Sequence, residues 1–255
     1  MSLTPQADDG ASDEARSNVD AVYEKLRRAI LDGESPPGSR LSQVQLAQQF
    51  DVSRGPLREA LRLLERDGLV VTEHQRMVRV SPVSFSDLDE LYALRIVNEG
   101  LALHQSVPSM TAADIALLQG HVGGMVDATR SDDWFAWSDH HRAFHAGLYS
   151  GVGERTARML GELFDHADRY RRVYHHDDRQ AADVAEREHR EILEACAAGD
   201  REQSAVLLAR HLARSALMLF AHAAPEHEPV LVREAMRFAI RPLTPALPKT
   251  ATRSN

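Results

Sequence analysis

The sequence predicts a mainly α chain: an N-terminal winged helix-turn-helix with a small β-hairpin, followed by an antiparallel bundle of six or seven helices. Three observations carry this. Between residues 19 and 82 the pattern runs helix, short helix, helix, then two β-rich runs around a polar tip. The two middle helices are joined only by "DVS", as in a helix-turn-helix. Beyond about residue 84 the periodic segments have helical spacing and no strand pattern appears.

Each element has a local reason. Residues 1–17 are polar and acidic and read as a disordered tail. "DAVYEKLRRAILDG" sets Val22, Leu26, Ala29 and Ile30 on one stripe, with Gly33 as the stop. "ESPPGSR" is a loop. Ser42 caps "SQVQLAQQF", with Gln45 at the capping-box position. Ser53 caps "RGPLREALRLLERDG", where Pro56 is tolerable in the first turn and Gly68 ends the helix. Leu69–Thr72 and Met77–Val80 form the hairpin. Helices are then expected over about 87–105, 112–129, 132–149, 154–174, 181–197 and 201–223, with a last one over 228–240. The domain expectation is a winged helix-turn-helix at 18–82, a helical effector-binding and dimerisation domain at 83–241 and a loose Pro-rich tail at 242–255.

Composition bounds the function. No apolar run approaches the eighteen or so residues of a membrane span, and the acidic N-terminus lacks a signal peptide's apolar core. The single cysteine, Cys196, excludes an internal disulfide framework and fits a reducing cytoplasm, where it reads as a buried small hydrophobe. The net charge of −8 argues against nucleic acid only on average. Residues 19–82 hold ten Lys/Arg against nine Asp/Glu, so the acidity lies mainly elsewhere. A near-neutral segment can bind DNA when its arginines share a face.

They share one here. Leu57, Leu61 and Leu64 form the inward face of "SRGPLREALRLLERDG", while Arg54, Arg58 and Arg62 recur every four residues on another. Pairing with Glu59, Glu65 or Glu90 is the plain structural alternative for these arginines. Arginine's planar fork suits guanine or phosphate, and Ser53 stands at a helix N-terminus, where phosphates bind. His74 and Arg76 in the hairpin tip are placed for a groove or the DNA backbone.

"PPGSRLSQVQLAQQFDVSRGPLREALRLLERDGLV" resembles the winged-helix domain of the GntR family of bacterial transcription regulators, and the later "FH…EH…AAGD…H" resembles its FadR-like (FCD) C-terminal domain. The likeness spans roughly residues 19–223. It implies a DNA-binding regulator, not an enzyme, in which Ser53, Arg54, Gly55, Arg58 and the wing contact double-stranded operator DNA. Two positions depart from the pattern: Val44 and Gln75 stand where relatives often have arginine and glycine.

Three histidines in "HHRAFH" raise a second question. His141 and His145, four apart, share a helix face, whereas His140 reads as solvated. His189 precedes Gly199 by ten residues and His211 follows it by twelve. At about 1.5 Å per residue the two lie nearly level in a helical hairpin, so four imidazoles from three helices can meet. A satisfied core histidine remains the plain reading of any one of them. The resemblance implies a divalent metal held by an Asp and three histidines; His145, His189 and His211 match these, and His141 stands at the usual Asp position. Four neutral nitrogens keep the full +2 charge and favour a transition metal, Zn or Ni. Such a site would take a small carboxylic-acid effector, with Arg95 as a candidate second contact unless it simply pairs with Glu99 at i+4. Glu188 and Glu191 flank His189 but point away from its face.

The leading expectation is a metal-containing, ligand-responsive regulator, a homodimer acting as a repressor on a palindromic operator. A metal-free effector-binding regulator and a zinc-dependent hydrolase remain open, though no HExxH is present.

Overall fold

The apolar stripe of the first helix begins the core of the reading head. In the computed structural model, which describes residues 9–73, 77–174 and 179–240, α1 (Asp9–Leu31) buries Val22, Leu26 and Ile30, and Ala29 is half-buried. Gly33, at φ +77°, turns the chain after it. α1 starts at Asp9, so residues 9–17 are helical where a loose tail was expected. Ala11, Glu14, Ala15 and Arg16 are good helix formers, and acidic residues suit a helix N-terminus. The rest of that tail and the expected tail at 242–255 lie outside the described residues.

β1 (Arg40–Leu41), β2 (Val70–Glu73) and β3 (Met77–Val80) form an antiparallel sheet in the order β1-β3-β2. The expected loop "ESPPGSR" includes Arg40 of β1; two residues are too few for periodicity to register. It pairs Leu41 with Val78, while β2 pairs Val70 with Val80. α2 (Gln43–Gln49) is capped by Ser42, whose Oγ accepts from the Gln45 N–H at 3.4 Å. Asp51, at φ 51°, makes the left-handed turn into α3 (Arg54–Arg66), a conformation aspartate tolerates. α3 buries Leu57, Ala60, Leu61 and Leu64 against α1 and the sheet. Its end is set by Gly68 at φ +69°.

Seven helices follow among the described residues: α4 (Phe85–Ser106), α5 (Ala112–Ser131), α6 (Trp134–Leu148), α7 (Glu154–Tyr174), α8 (Arg179–Ala197), α9 (Arg201–Ala223) and α10 (Val230–Ala239). Local caps explain their starts. Thr111 and Asp114 form a reciprocal capping box on α5, and Asp133 accepts from the Ala136 N–H on α6. Asp200 accepts from the Gln203 N–H at 2.9 Å and caps α9 just after Gly199, at φ +72°. α9 has the length and composition of a spanning helix, but half of its most apolar window is buried.

The chain forms two compact units. One draws its described residues from Met1–Leu91, Glu162–Asp177 and Leu219–His227, the other from Tyr92–Gly161, Asp178–Met218 and Glu228–Asn255. The first unit therefore holds more than the residues up to 82. Within it, the Tyr170 hydroxyl donates to Asp87 at 2.5 Å, Arg169 donates to the Pro82 carbonyl at 3.3 Å, and Arg27 pairs with Asp165.

Candidate metal centre and nucleic-acid interface

On the head, α3 presents the surface that its spacing predicts. Ser53, Arg54, Gly55, Arg58 and Arg62 are all exposed, on the side opposite the buried leucines. Ser53 is the N-cap by backbone geometry, at φ −69° and ψ 166°, but its side chain makes no capping hydrogen bond. Its hydroxyl is thus not committed to the helix end as the capping expectation had it. Arg62 lies 3.5 Å from Glu59, an exposed pair of the kind that contributes little. Glu65 instead accepts from the Thr72 N–H and ties α3 to β2. Arg54 and Arg58 form no ion pair among the described residues. Val44 on α2 is exposed. His74 and Arg76 lie outside the described residues.

In the second unit, α6, α8 and α9 bring His141, His145, His189 and His211 together. One ring nitrogen from each lies within 4.8 Å of all the others, and each residue is at most 3% exposed. Ring centroids are 4.5 Å apart for His141 and His145, on successive turns of α6, and 4.6 Å for His189 and His211 across the α8–α9 hairpin. The near-equal distances of His189 and His211 from Gly199 thus place them level, as the rise per residue requires.

Two carboxylates hold this cluster from behind. Glu188 Oε2 lies 2.8 Å from His211 Nδ1, and Glu188 Oε1 accepts from Arg214 Nε at 2.6 Å. Glu188 does point away from the face of His189, but that direction carries it to His211 on the next helix. Glu99 plays the same part for His145, whose Nδ1 lies 3.5 Å from Glu99 Oε2 and 3.3 Å from the Tyr149 hydroxyl; Tyr149 donates to Glu99 in turn. With Nδ1 facing an acceptor on these two rings, Nε2 is the nitrogen each can offer a metal. This is the carboxylate–histidine arrangement that orients metal ligands.

Electrostatics agree with this assignment. Burial would raise the Glu99 carboxyl, but Arg95 and His145 outweigh it and hold the group down at about 2. Burial likewise opposes ionisation of Glu188, and the His211 and Arg214 hydrogen bonds bring it to about 2. Burial pushes His145 down to about 4 and His211 below its ordinary value, each partly offset by its carboxylate. His145 and His211 are therefore neutral at pH 7, the form that binds metal. Arg95, the candidate effector contact, forms the pair with Glu99 that its spacing also offered. It is fully buried, and its Nε donates to Glu99 Oε1 at 2.5 Å. The i+4 spacing to Glu99 accounts for it.

Packing fixes the cluster further. Trp137 stacks between Trp134 and His141, with centroids 5.0 and 4.6 Å away and planes within 15°. The Gly151 N–H donates to Ser106 Oγ at 3.2 Å, and a Cβ at Gly151 would lie 2.8 Å from the Ser106 Cα. That close approach holds the end of α6 beside α4, two residues from Tyr149. His140 is not solvated as expected. It is half-buried, and its Nδ1 lies 3.3 Å from His121 Nδ1 on α5. Its ring fills the space over Gly124, where a Cβ would come within 2.4 Å of it. Sequence reasoning missed Glu188 as a partner of His211, Tyr149 and Trp137. Glu188, one residue off the histidine face at the level of His211, was the only one of these with a usable signal.

Comparison with known proteins agrees with both halves of the chain. The family model described as "Bacterial regulatory proteins, gntR family" matches residues 18–80, and the FCD domain model matches residues 90–214. The HTH-type transcriptional regulator BphR of Paraburkholderia xenovorans is 34% identical over 207 residues, covering 78% of this chain and 84% of BphR. The HTH-type transcriptional repressor GlaR of Escherichia coli is 26% identical over 199 residues, covering 74% of this chain and 90% of GlaR. The crystal structure of a GntR transcriptional regulator from Rhodococcus sp. RHA1 is similar with a TM-score of 0.71 at 27% identity, covering 80% of this chain and 98% of that one.

Proposed function

The chain belongs to the GntR family of bacterial regulatory proteins and is a DNA-binding transcription regulator of the GntR/FCD type; from that premise we propose that it is a repressor whose helical domain binds a divalent transition metal and a small organic acid. The observation that carries this is the meeting of four buried imidazoles from three helices. A neutral all-nitrogen donor set fits Zn or Ni and does not fit Mg or Ca. His141, His145, His189 and His211 would hold the ion, which when bound supplies a positive anchor for a carboxylate. Glu188 and Glu99 keep the rings of His211 and His145 turned to it, and Arg214 and Arg95 keep those carboxylates charged. The acid acts by binding one conformer of the protein in preference to another, with a coupling of typically 1–3 kcal/mol.

On the DNA side, Arg54, Arg58 and Arg62 read base edges or phosphates from α3. Ser53 and Gly55 meet a phosphate at the start of that helix, and His74 and Arg76 of the wing reach the neighbouring groove. One recognition helix covers only a few base pairs, so the functional species is a homodimer on a palindrome. The repressor assignment is supported by likeness to GlaR, which is named as one.

The test is to sequence DNA fragments retained by the purified protein, and to measure its metal content and mass. The expected result is a shared inverted repeat, one Zn or Ni per protomer and a dimer. Retained fragments without two-fold symmetry, or a monomer at micromolar concentration, overturn the dimer-on-palindrome reading. Protein that takes up no metal after incubation with Zn or Ni overturns the metal reading and favours a metal-free regulator.

A further inference from the structure

A cavity of about 180 Å³ opens beside the histidine cluster, between α5, α6 and α8, with His189 in its lining. We propose that it selects an effector with a single compact ring and one carboxylate, the size of benzoate. This rests on the reading of the four histidines as a metal site that takes a carboxylate, and adds what the remainder of the molecule must be.

Size is the first argument. A dry apolar cavity of about 150 Å³ accommodates benzene. The volume here matches one six-membered ring with a small polar group and is small for a fused bicycle or a long acyl chain. Chemistry of the wall is the second. Val122, Met125 and Val126 come from one stripe of α5, at i, i+3 and i+4, and face Trp137 of α6 and Ala185 of α8. Trp137 is sandwiched between Trp134 and His141, so its faces are taken and its edge is what lines the cavity. Aromatic edges pair favourably with the face of a second ring. A polyhydroxy acid would place those of its hydroxyls that face Val122, Met125, Val126 and Ala185 against a wall with no hydrogen-bond partner, which is costly.

The charged groups of the lining supply the third argument. Asp183 and Glu186 of α8 also line the cavity, as does Arg130 of α5. Arg130 is the one guanidinium of the lining, 3.4 Å from Asp127 in an exposed pair, and is outnumbered there by Asp183 and Glu186. A diacid would bring its far anion against two acidic side chains, and such like-charge contacts reject wrong ligands. One carboxylate, towards His189, is what the cavity admits.

The experiment is calorimetry on the full-length, zinc-loaded protein with benzoate, acetate, gluconate and terephthalate, with tryptophan fluorescence as a second readout. Benzoate should bind roughly 10- to 100-fold more tightly than acetate, the gain expected from removing one ring from water. Gluconate and terephthalate should bind at or below the level of acetate, and benzoate should perturb the emission of Trp137. Ala185→Leu, which fills the cavity one turn from His189, should bring benzoate down to the level of acetate with zinc content retained. Should that variant not fold or not hold zinc, Met125→Ala decides: it should admit 2-naphthoate, which the parent protein excludes. Benzoate no tighter than acetate, terephthalate or gluconate equal to benzoate, or variants without these effects would overturn the ring assignment and leave the carboxylate reading standing. Binding of none of the four acids would overturn both.

Discussion

Arg54, Arg58 and Arg62 stand in water on the outer face of α3, whereas His141, His145, His189 and His211 sit among buried side chains of α6, α8 and α9. The difference lies in what each region must spend on itself. An exposed guanidinium keeps its hydration and needs no partner within the protein, so the arginine face is supported only by the leucines behind it. A buried imidazole must satisfy its nitrogens internally. The cluster has therefore drawn in Glu188 with Arg214 and Glu99 with Arg95 and Tyr149. The head can be altered one arginine at a time; the cluster should respond as a unit.

The largest effect expected of that contrast comes from the buried side. His189→Ala should abolish metal binding and the response to acids together, while the unliganded protein binds operator as before; metal analysis and a DNA-binding assay in parallel check this. Loss of DNA binding in the metal-free variant would break the comparison, since the two regions would then not be separable. A smaller effect should follow from Glu188→Gln, which leaves all four imidazoles in place. Removing an orienting carboxylate of this kind typically costs about 10- to 100-fold in metal affinity, measurable by competition with a chelator. Unchanged affinity would show that the His211 contact is incidental.

On the exposed side, Arg58→Ala should weaken specific DNA binding by about 1–3 kcal/mol if Arg58 reads a base. If it meets only phosphate, affinity should fall alike for all sequences and the salt slope by about one. Metal affinity should be unaffected in either case. The smallest effect is local to α2: Ser42→Ala removes the one hydroxyl that caps it and should lower stability by about 1 kcal/mol, seen as a shift in a denaturation midpoint with the metal site intact.

These regions also differ in how far they could be read from the chain. α3 was legible almost completely. Its bounds, its leucine face and its arginine face follow from spacing within thirteen residues, and Gly68 marks the end. The helical elements after residue 84 were legible for the same reason, with every boundary within two residues of expectation. The cluster was half legible. The i, i+4 spacing of His141 and His145 and the hairpin arithmetic around Gly199 could be taken from the sequence, because both are consequences of helix geometry. What lies behind the rings was not. Glu99 reaches His145 across 46 residues and Glu188 reaches His211 across 23, and no periodicity encodes which rows of two helices face each other. For Arg95 the i+4 spacing offered both an effector contact and a pair with Glu99, and the pair is the one formed. β1 escaped notice because a two-residue strand leaves no pattern.

Gly151 sets a limit of another kind on the cluster. A substitution at His141 changes one side chain of the cluster and leaves the main chain where it is. The clearance at 151 is tighter, because the smallest side chain available would press on the main chain of α4 as well as on the Ser106 and Ser109 hydroxyls. A substitution at position 151 therefore disturbs the backbone beside the cluster, whereas one at position 141 alters a side chain alone. The position with the least room beside the cluster is one with no chemistry of its own, and a search confined to donor atoms passes over it.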